Sequence, residues 1–119
     1  MTFVAVVELI AGAGILAFWA FALTAHKVPE ASSGDRAIWF HVTAECVLAM
    51  TLVIGGLSLL VAEAEDWARV VAGVAIGGMV YSTINSPGYY AREGTWPVVA
   101  GFAGLTLIGL VCAVILATG

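Results

Sequence analysis

Charged residues are scarce in this 119-residue chain: only 10% are Asp, Glu, Lys or Arg, against about a quarter in a typical soluble domain. Only four residues are basic. That number is too small for a basic surface that binds nucleic acid or attaches to a membrane by charge. The net charge of −4 says little about partners, because most of the acidic residues lie in or beside connecting turns.

Cysteine is scarce as well. Cys46 and Cys112 both lie inside apolar runs, and their spacing matches no metal or redox motif. We expect both to behave as small buried hydrophobes, without a disulfide between them. No serine has a matching base in its sequence context, and no phosphate-binding glycine loop follows a strand. The sequence therefore favours a protein that is not an enzyme.

Apolar residues make up 62% of the chain, and the mean hydropathy is +1.08. They form four long runs, each close to the roughly 20 residues that a helix needs to cross a bilayer. The runs are 2–25, 37–62, 67–84 and 97–118. Because only short connections separate them, they predict an all-α integral membrane protein. The expected architecture is an antiparallel bundle of four transmembrane helices in a single domain, 1–119.

The basic residues predict how the bundle is oriented. Lys27, Arg36 and Arg92 lie in the first and third connections, whereas Arg69 lies on the opposite side. The positive-inside rule then predicts that both termini are outside and that loops 26–36 and 85–96 are cytoplasmic. No Lys or Arg precedes the first run, so we interpret it as a retained span and not as a signal peptide.

Residues that favour helix ends separate the runs. Pro87-Gly88 is expected to end the third helix. Side chains suited to cap the following helices are Ser33 or Asp35, Glu65 or Asp66, and Thr95. Within the helices, small residues four apart let backbones approach closely in lipid, as in the pair Gly73 and Gly77. We expect the glycines to pack the bundle, or to pack one bundle on another in a homo-oligomer.

Polar residues inside the second run are the strongest functional signal. His41 and Glu45 are four apart, so they lie on one helix face. Glu45 is ~13 Å from the start of its helix, where a charged carboxylate costs about 2.5–3.5 kcal/mol. It must be protonated, paired with a cation or facing a wet cavity, and His41 is the nearest candidate partner. Thr43 and Thr51 are expected to bond to carbonyls of their own helix.

An antiparallel arrangement brings further polar side chains to the same end of the bundle. His26 ends the first helix there, and Tyr81 and Asn85 end the third. The favoured function is binding or translocation of a small solute, ion or proton through this cluster. One alternative is a structural or accessory subunit of a larger membrane complex. Another is a metal or haem site with His26, His41 and Glu45 as candidate ligands. The sequence identifies no cofactor.

Glu8 interrupts the first run near the opposite end of the bundle. A four-span chain with a single Glu in its first helix, in Val7-Glu8-Leu9-Ile10, resembles the small multidrug resistance transporters. The resemblance implies transport, with Glu8 as a ligand- or proton-binding residue. The aromatic and glycine pattern of that family's later helices is missing. From its position alone, Glu8 is expected to be solvated at the interface or to pair with Arg69.

Overall fold

The computed structural model describes all 119 residues, and nearly all of them are helical. The helices are α1 (Thr2–Thr24), α2 (Ala37–Ala62), α3 (Asp66–Asn85), the short α4 (Pro87–Arg92) and α5 (Trp96–Thr118). Four helical segments are long and apolar enough to cross a membrane, the third being α3 extended by α4. The four predicted helices are confirmed, with each end within one residue of its predicted position.

The long helices pack mainly on their neighbours in the chain. α1 packs on α2, α2 on α3, and α3 on α5, whereas α1 and α5 share few contacts. The first and last residues adjoin, because a Cβ on Gly119 would lie 3.0 Å from the Met1 side chain. α1 and α5 therefore meet at the end of the bundle where α1 begins and α5 ends.

One face of α3 forms the centre of the core. Five residues of this face are almost completely buried: Ala68, Ala72, Ala75, Ile76 and Met79. Their spacing of three and four residues follows the helical period, so they form a single stripe. The stripe packs against buried residues of the other helices, including Leu52 and Cys112. Cys112 and the half-buried Cys46 are both free thiols.

Glycines bring the backbones of α1 and α2 into direct contact. A Cβ on Gly12 would lie 2.7 Å from the carbonyl oxygen of Ala49, and one on Gly56 would lie 2.8 Å from that of Ala5. The prediction that glycines pack the bundle is confirmed at these positions. Other glycines have open space beside them within the chain, so they do not pack the bundle itself, and packing of one bundle on another stays a prediction for them: Gly14, Gly73, Gly77, Gly101 and Gly104.

The helix ends follow the sequence in part. The Asp35 carboxylate accepts a hydrogen bond from the Ala37 N–H (2.9 Å) at the start of α2, but the residue at the N-cap is Arg36, which makes no side-chain capping bond. Glu65 and Thr95 precede their helices without a side-chain capping bond. α3 ends before Pro87 as expected, but the predicted loop 85–96 is wrong. Proline is tolerated in a first helical turn, and α4 begins at Pro87.

Candidate functional site

A groove of about 310 Å³ lies between α2 and α3, toward the long connections. This volume is at the lower end of the range for small-molecule sites, about 300–1,000 Å³. The groove brings together four of the residues predicted from the sequence, along with Ser82 and Thr51. Its polar lining is His41, Glu45 and Thr51 from α2, and Tyr81, Ser82 and Asn85 from α3.

Glu45 lies half-buried in this groove and is tied to the neighbouring helix. The Ser82 hydroxyl donates a hydrogen bond to Glu45 Oε1 (2.5 Å), and the Ser82 and Ser86 hydroxyls are 3.4 Å apart. The sequence places Tyr81 and Asn85 at this level but does not single out Ser82 as the partner. The feature of the sequence that could have identified Ser82 is its position, next to Tyr81 and four residues before Ser86.

His41, the candidate partner of Glu45, makes no ion pair with it. The one ion pair of the structure joins the Met1 amino group to Glu63 (3.9 Å). The His41 ring instead packs edge-on against Trp19 of α1, with centroids 5.6 Å apart and an interplanar angle of 77°. An aromatic neighbour on α1 therefore holds the imidazole at the edge of the groove, where it is exposed.

Tyr81 and Asn85 contribute the α3 side of the groove opening. Tyr81 is 72% exposed, and Asn85 is also exposed. The side-chain to side-chain hydrogen bonds of the molecule include neither of them, nor His41. Three polar groups at the groove are therefore free to bond to a ligand.

The predictions for Thr43 and Thr51 are confirmed. Their hydroxyls donate to the carbonyl oxygens of Trp39 and Val47 of their own helix.

His26 lies outside the groove. It is exposed after the end of α1 with a φ of +54°, and the Lys27 N–H donates to the Ala22 carbonyl (2.9 Å). This bond across six residues is the hallmark of a Schellman motif, in which the left-handed residue is commonly glycine.

No three His, Cys, Asp or Glu side chains are grouped closely enough to bind a metal ion. The structure thus does not assemble His26, His41 and Glu45 as ligands.

Glu8 is the residue whose environment differs most from the prediction. It is completely buried, and neither carboxyl oxygen has a hydrogen-bond partner. The expected interfacial position and the expected ion pair with Arg69 are both wrong; Arg69 Nε is itself buried without a partner. The reason is the missing side chain at Gly55, where a Cβ would lie 2.9 Å from Glu8 Oε1. The carboxyl group occupies that space.

The fold and groove define a small all-helical protein with four segments apolar and long enough to span a membrane. The chain belongs to the family described as "Domain of unknown function (DUF8058)", whose model matches residues 1–118. No curated protein and no solved structure matches the chain. The matching family is not that of the small multidrug resistance transporters. The likeness of Val7-Glu8-Leu9-Ile10 is therefore limited to those residues and the number of helices.

Proposed function

We propose that this is an integral membrane protein that binds or translocates a small polar solute, ion or proton, above all a proton, through the α2–α3 groove. The proposal is carried by Glu45, a carboxyl group held half-buried within an apolar helix by one hydrogen bond from Ser82. An ionisable residue at such a depth is costly in lipid and generally marks a functional site. The groove around it has room for a small ligand.

The groups beside Glu45 determine which ligands suit the groove. A carboxylate accepts hydrogen bonds, a phenol and an amide donate them, and an imidazole can do either. A small cation or a solute with hydroxyl or amino groups fits this set. Side chains four apart on a helix are about 5–6 Å apart at Cβ. A proton passing between Glu45 and His41 needs a bridging hydroxyl or water, because the two side chains do not pair.

The proposal is tested by Glu45→Gln in reconstituted vesicles that contain a trapped pH-sensitive dye. Glutamine keeps an oxygen that accepts the Ser82 hydrogen bond but cannot release a proton, so the fold is retained. We expect the wild-type chain to dissipate an imposed pH gradient and Glu45→Gln to do so no faster than protein-free vesicles. Glu65→Gln is the matched control, because Glu65 is exposed in the short turn at the other end.

A structural role is the second candidate, because the Ser82–Glu45 hydrogen bond joins two helices. Such bonds between membrane helices contribute about 0.6–2 kcal/mol each and fix helix register. Unchanged proton flux together with a lower melting temperature for Glu45→Gln would favour that role.

Thermal-shift measurements with ammonium, sodium and glycerol extend the test of the groove to other ligands. A shift that is present in the wild type and lost in Glu45→Gln would support binding.

We also propose a second copy of the chain as the partner in the membrane, in place of a larger complex. Gly73 and Gly77 lie on the outer face of α3 with open space beside them. The neighbouring Val74 and Gly78 line the groove. A second copy packed on this face would shield the polar groove from lipid.

A further inference from the structure

Glu8 is a buried polar group that the proposed function does not use. Its side chain is 0% exposed, and neither oxygen has a partner within the chain. Buried polar groups in proteins nearly always have a hydrogen-bond partner. A carboxylate removed from water without a partner is far more costly than the neutral acid. The folded chain therefore accommodates the protonated form of Glu8 and not its anion.

The space between α1 and α2 holds the neutral carboxylic acid of Glu8 but not a hydrated carboxylate. A Cβ on Gly55 would lie 2.9 and 3.0 Å from the two carboxyl oxygens of Glu8. At the next residue, a Cβ on Gly56 would lie 2.8 Å from the Ala5 carbonyl oxygen. The two backbones are thus in contact around the carboxyl group. A charged carboxylate with its hydration shell would require these helices to separate.

No surrounding element supplies a compensating charge. On α2, the nearest titratable residue before Gly55 is Cys46, nine residues away, and the nearest one after it, Glu63, pairs with the Met1 amino group at the helix end. Arg69 of α3 makes no ion pair with Glu8. The Cys112 thiol of α5 belongs to the same core and carries no positive charge.

We propose that Glu8 is a proton-binding site that controls the packing of α1 on α2. With its proton bound, the neutral acid fills the space at Gly55 and the helices close around it. Release of the proton to water breaks the O–H bond and leaves a carboxylate that must reach water. This movement separates α1 from α2 near Gly55. The site is distinct from the α2–α3 groove and does not depend on it.

The first test is infrared spectroscopy of the full chain in lipid nanodiscs, followed across a range of pH. A protonated carboxyl group has its own C=O stretching band. At neutral pH we expect a band from a buried acid that is lost in Glu8→Gln and retained in Glu45→Gln. The Glu45→Gln control keeps failure of this inference separate from failure of the proposed function.

The second test is thermal stability against pH for the same variants. The folded state holds the Glu8 proton more tightly than the unfolded state, in which the carboxyl group is hydrated. Stability must then fall as pH rises, because the unfolded state releases the proton first. We expect the wild-type melting temperature to fall with rising pH and most of that dependence to be lost in Glu8→Gln.

Several outcomes would overturn the proposal. One is a neutral-pH spectrum without a Glu8-dependent acid band. Another is the same pH dependence of stability in wild type and Glu8→Gln. Stabilisation of the wild type by sodium or potassium at constant pH, absent in Glu8→Gln, would assign a metal cation to the site instead. Should Glu8→Gln fail to fold, Glu8→Leu replaces it, since an apolar side chain of similar size leaves no unpaired polar group.

Discussion

Glu8 and Glu45 show how differently one residue type can be placed within apolar helices. Glu45 accepts a hydrogen bond from Ser82 and faces a groove that is open at the surface of the molecule. Glu8 has no partner and is enclosed between two backbones. A ligand can therefore reach Glu45 without any movement of the helices. In our proposal, exchange of the Glu8 proton with water requires α1 and α2 to separate.

His26 has a structural role at the end of α1. Its φ of +54° lies in the left-handed region, which costs a residue with a side chain about 1–2 kcal/mol and suits glycine. The strain is tolerated because the left-handed turn lets the Lys27 N–H bond to the Ala22 carbonyl (2.9 Å).

His26→Gly is accordingly expected to stabilise the chain by about 0.5–1 kcal/mol, since relief of strain exceeds the added freedom of the unfolded chain. Reversible unfolding in a detergent titration measures the change. The matched control is His41→Gly, which places glycine inside α2 and should destabilise by about 1 kcal/mol. Equal effects of the two substitutions would show that the backbone conformation at His26 is not strained.

At the scale of the helix, α3 has two faces of different character. One face is the buried stripe that begins at Ala68 and ends at Met79. The opposite face is exposed and carries Val70, Gly73, Gly77 and Tyr81. Small residues four apart on an outer face allow another helix to approach closely, and packing of this kind drives helix association in lipid.

Gly77→Leu tests whether a second copy packs on this face. The position has open space around it within one chain, so leucine should leave the fold intact while keeping a second chain at a distance. We expect dimers to be lost, measured as the fraction of paired fluorophores by single-molecule photobleaching in bilayers. Gly14→Leu is the control, because Gly14 also has open space but lies on α1. Dimers that persist in Gly77→Leu would place any interface elsewhere.

The hydropathy pattern predicts the helices well and their faces poorly. Long apolar runs need their backbone hydrogen bonds satisfied internally, so each run forms a helix over nearly its full length. α1 is apolar on almost every side, however, so the pattern does not reveal which side faces α2. The sequence consequently predicts an interfacial Glu8, whereas the structure buries it. In the groove, spacing brings His41 close to Glu45, but only the packing of α1 shows that Trp19 contacts His41.

At the scale of the whole molecule, the two ends of the bundle differ in charge. Lys27, Arg36 and Arg92 lie at the end with the long connections, where Trp39 and Trp96 are also exposed. Tryptophan is enriched at membrane–water interfaces, and basic residues favour the cytoplasmic side. The basic residues support the prediction that this end, and with it the groove, faces the cytoplasm, whereas exposed tryptophan also lies at the other end, at Trp67.

A cysteine at Ser33 tests this orientation, because Ser33 is exposed in the first connection. In sealed cells, a thiol reagent that cannot cross the membrane should leave Ser33→Cys unlabelled, and lysis should expose it. Ala64→Cys in the opposite turn should be labelled in intact cells. The reverse pattern would invert the proposed orientation. The wild-type chain measures any background from Cys46, which is half-buried.

The order of helix contacts has a consequence for how the protein is made. α2 packs on α1, α3 on α2 and α5 on α3, so the main partner of each long helix is the one before it in the chain. Synthesis proceeds from the N-terminus, and each helix therefore finds its partner already present when it leaves the ribosome. Contacts between chain neighbours also form quickly. The order of synthesis and the order of assembly are the same, and only the few contacts between α1 and α5 have to wait until α5 is made.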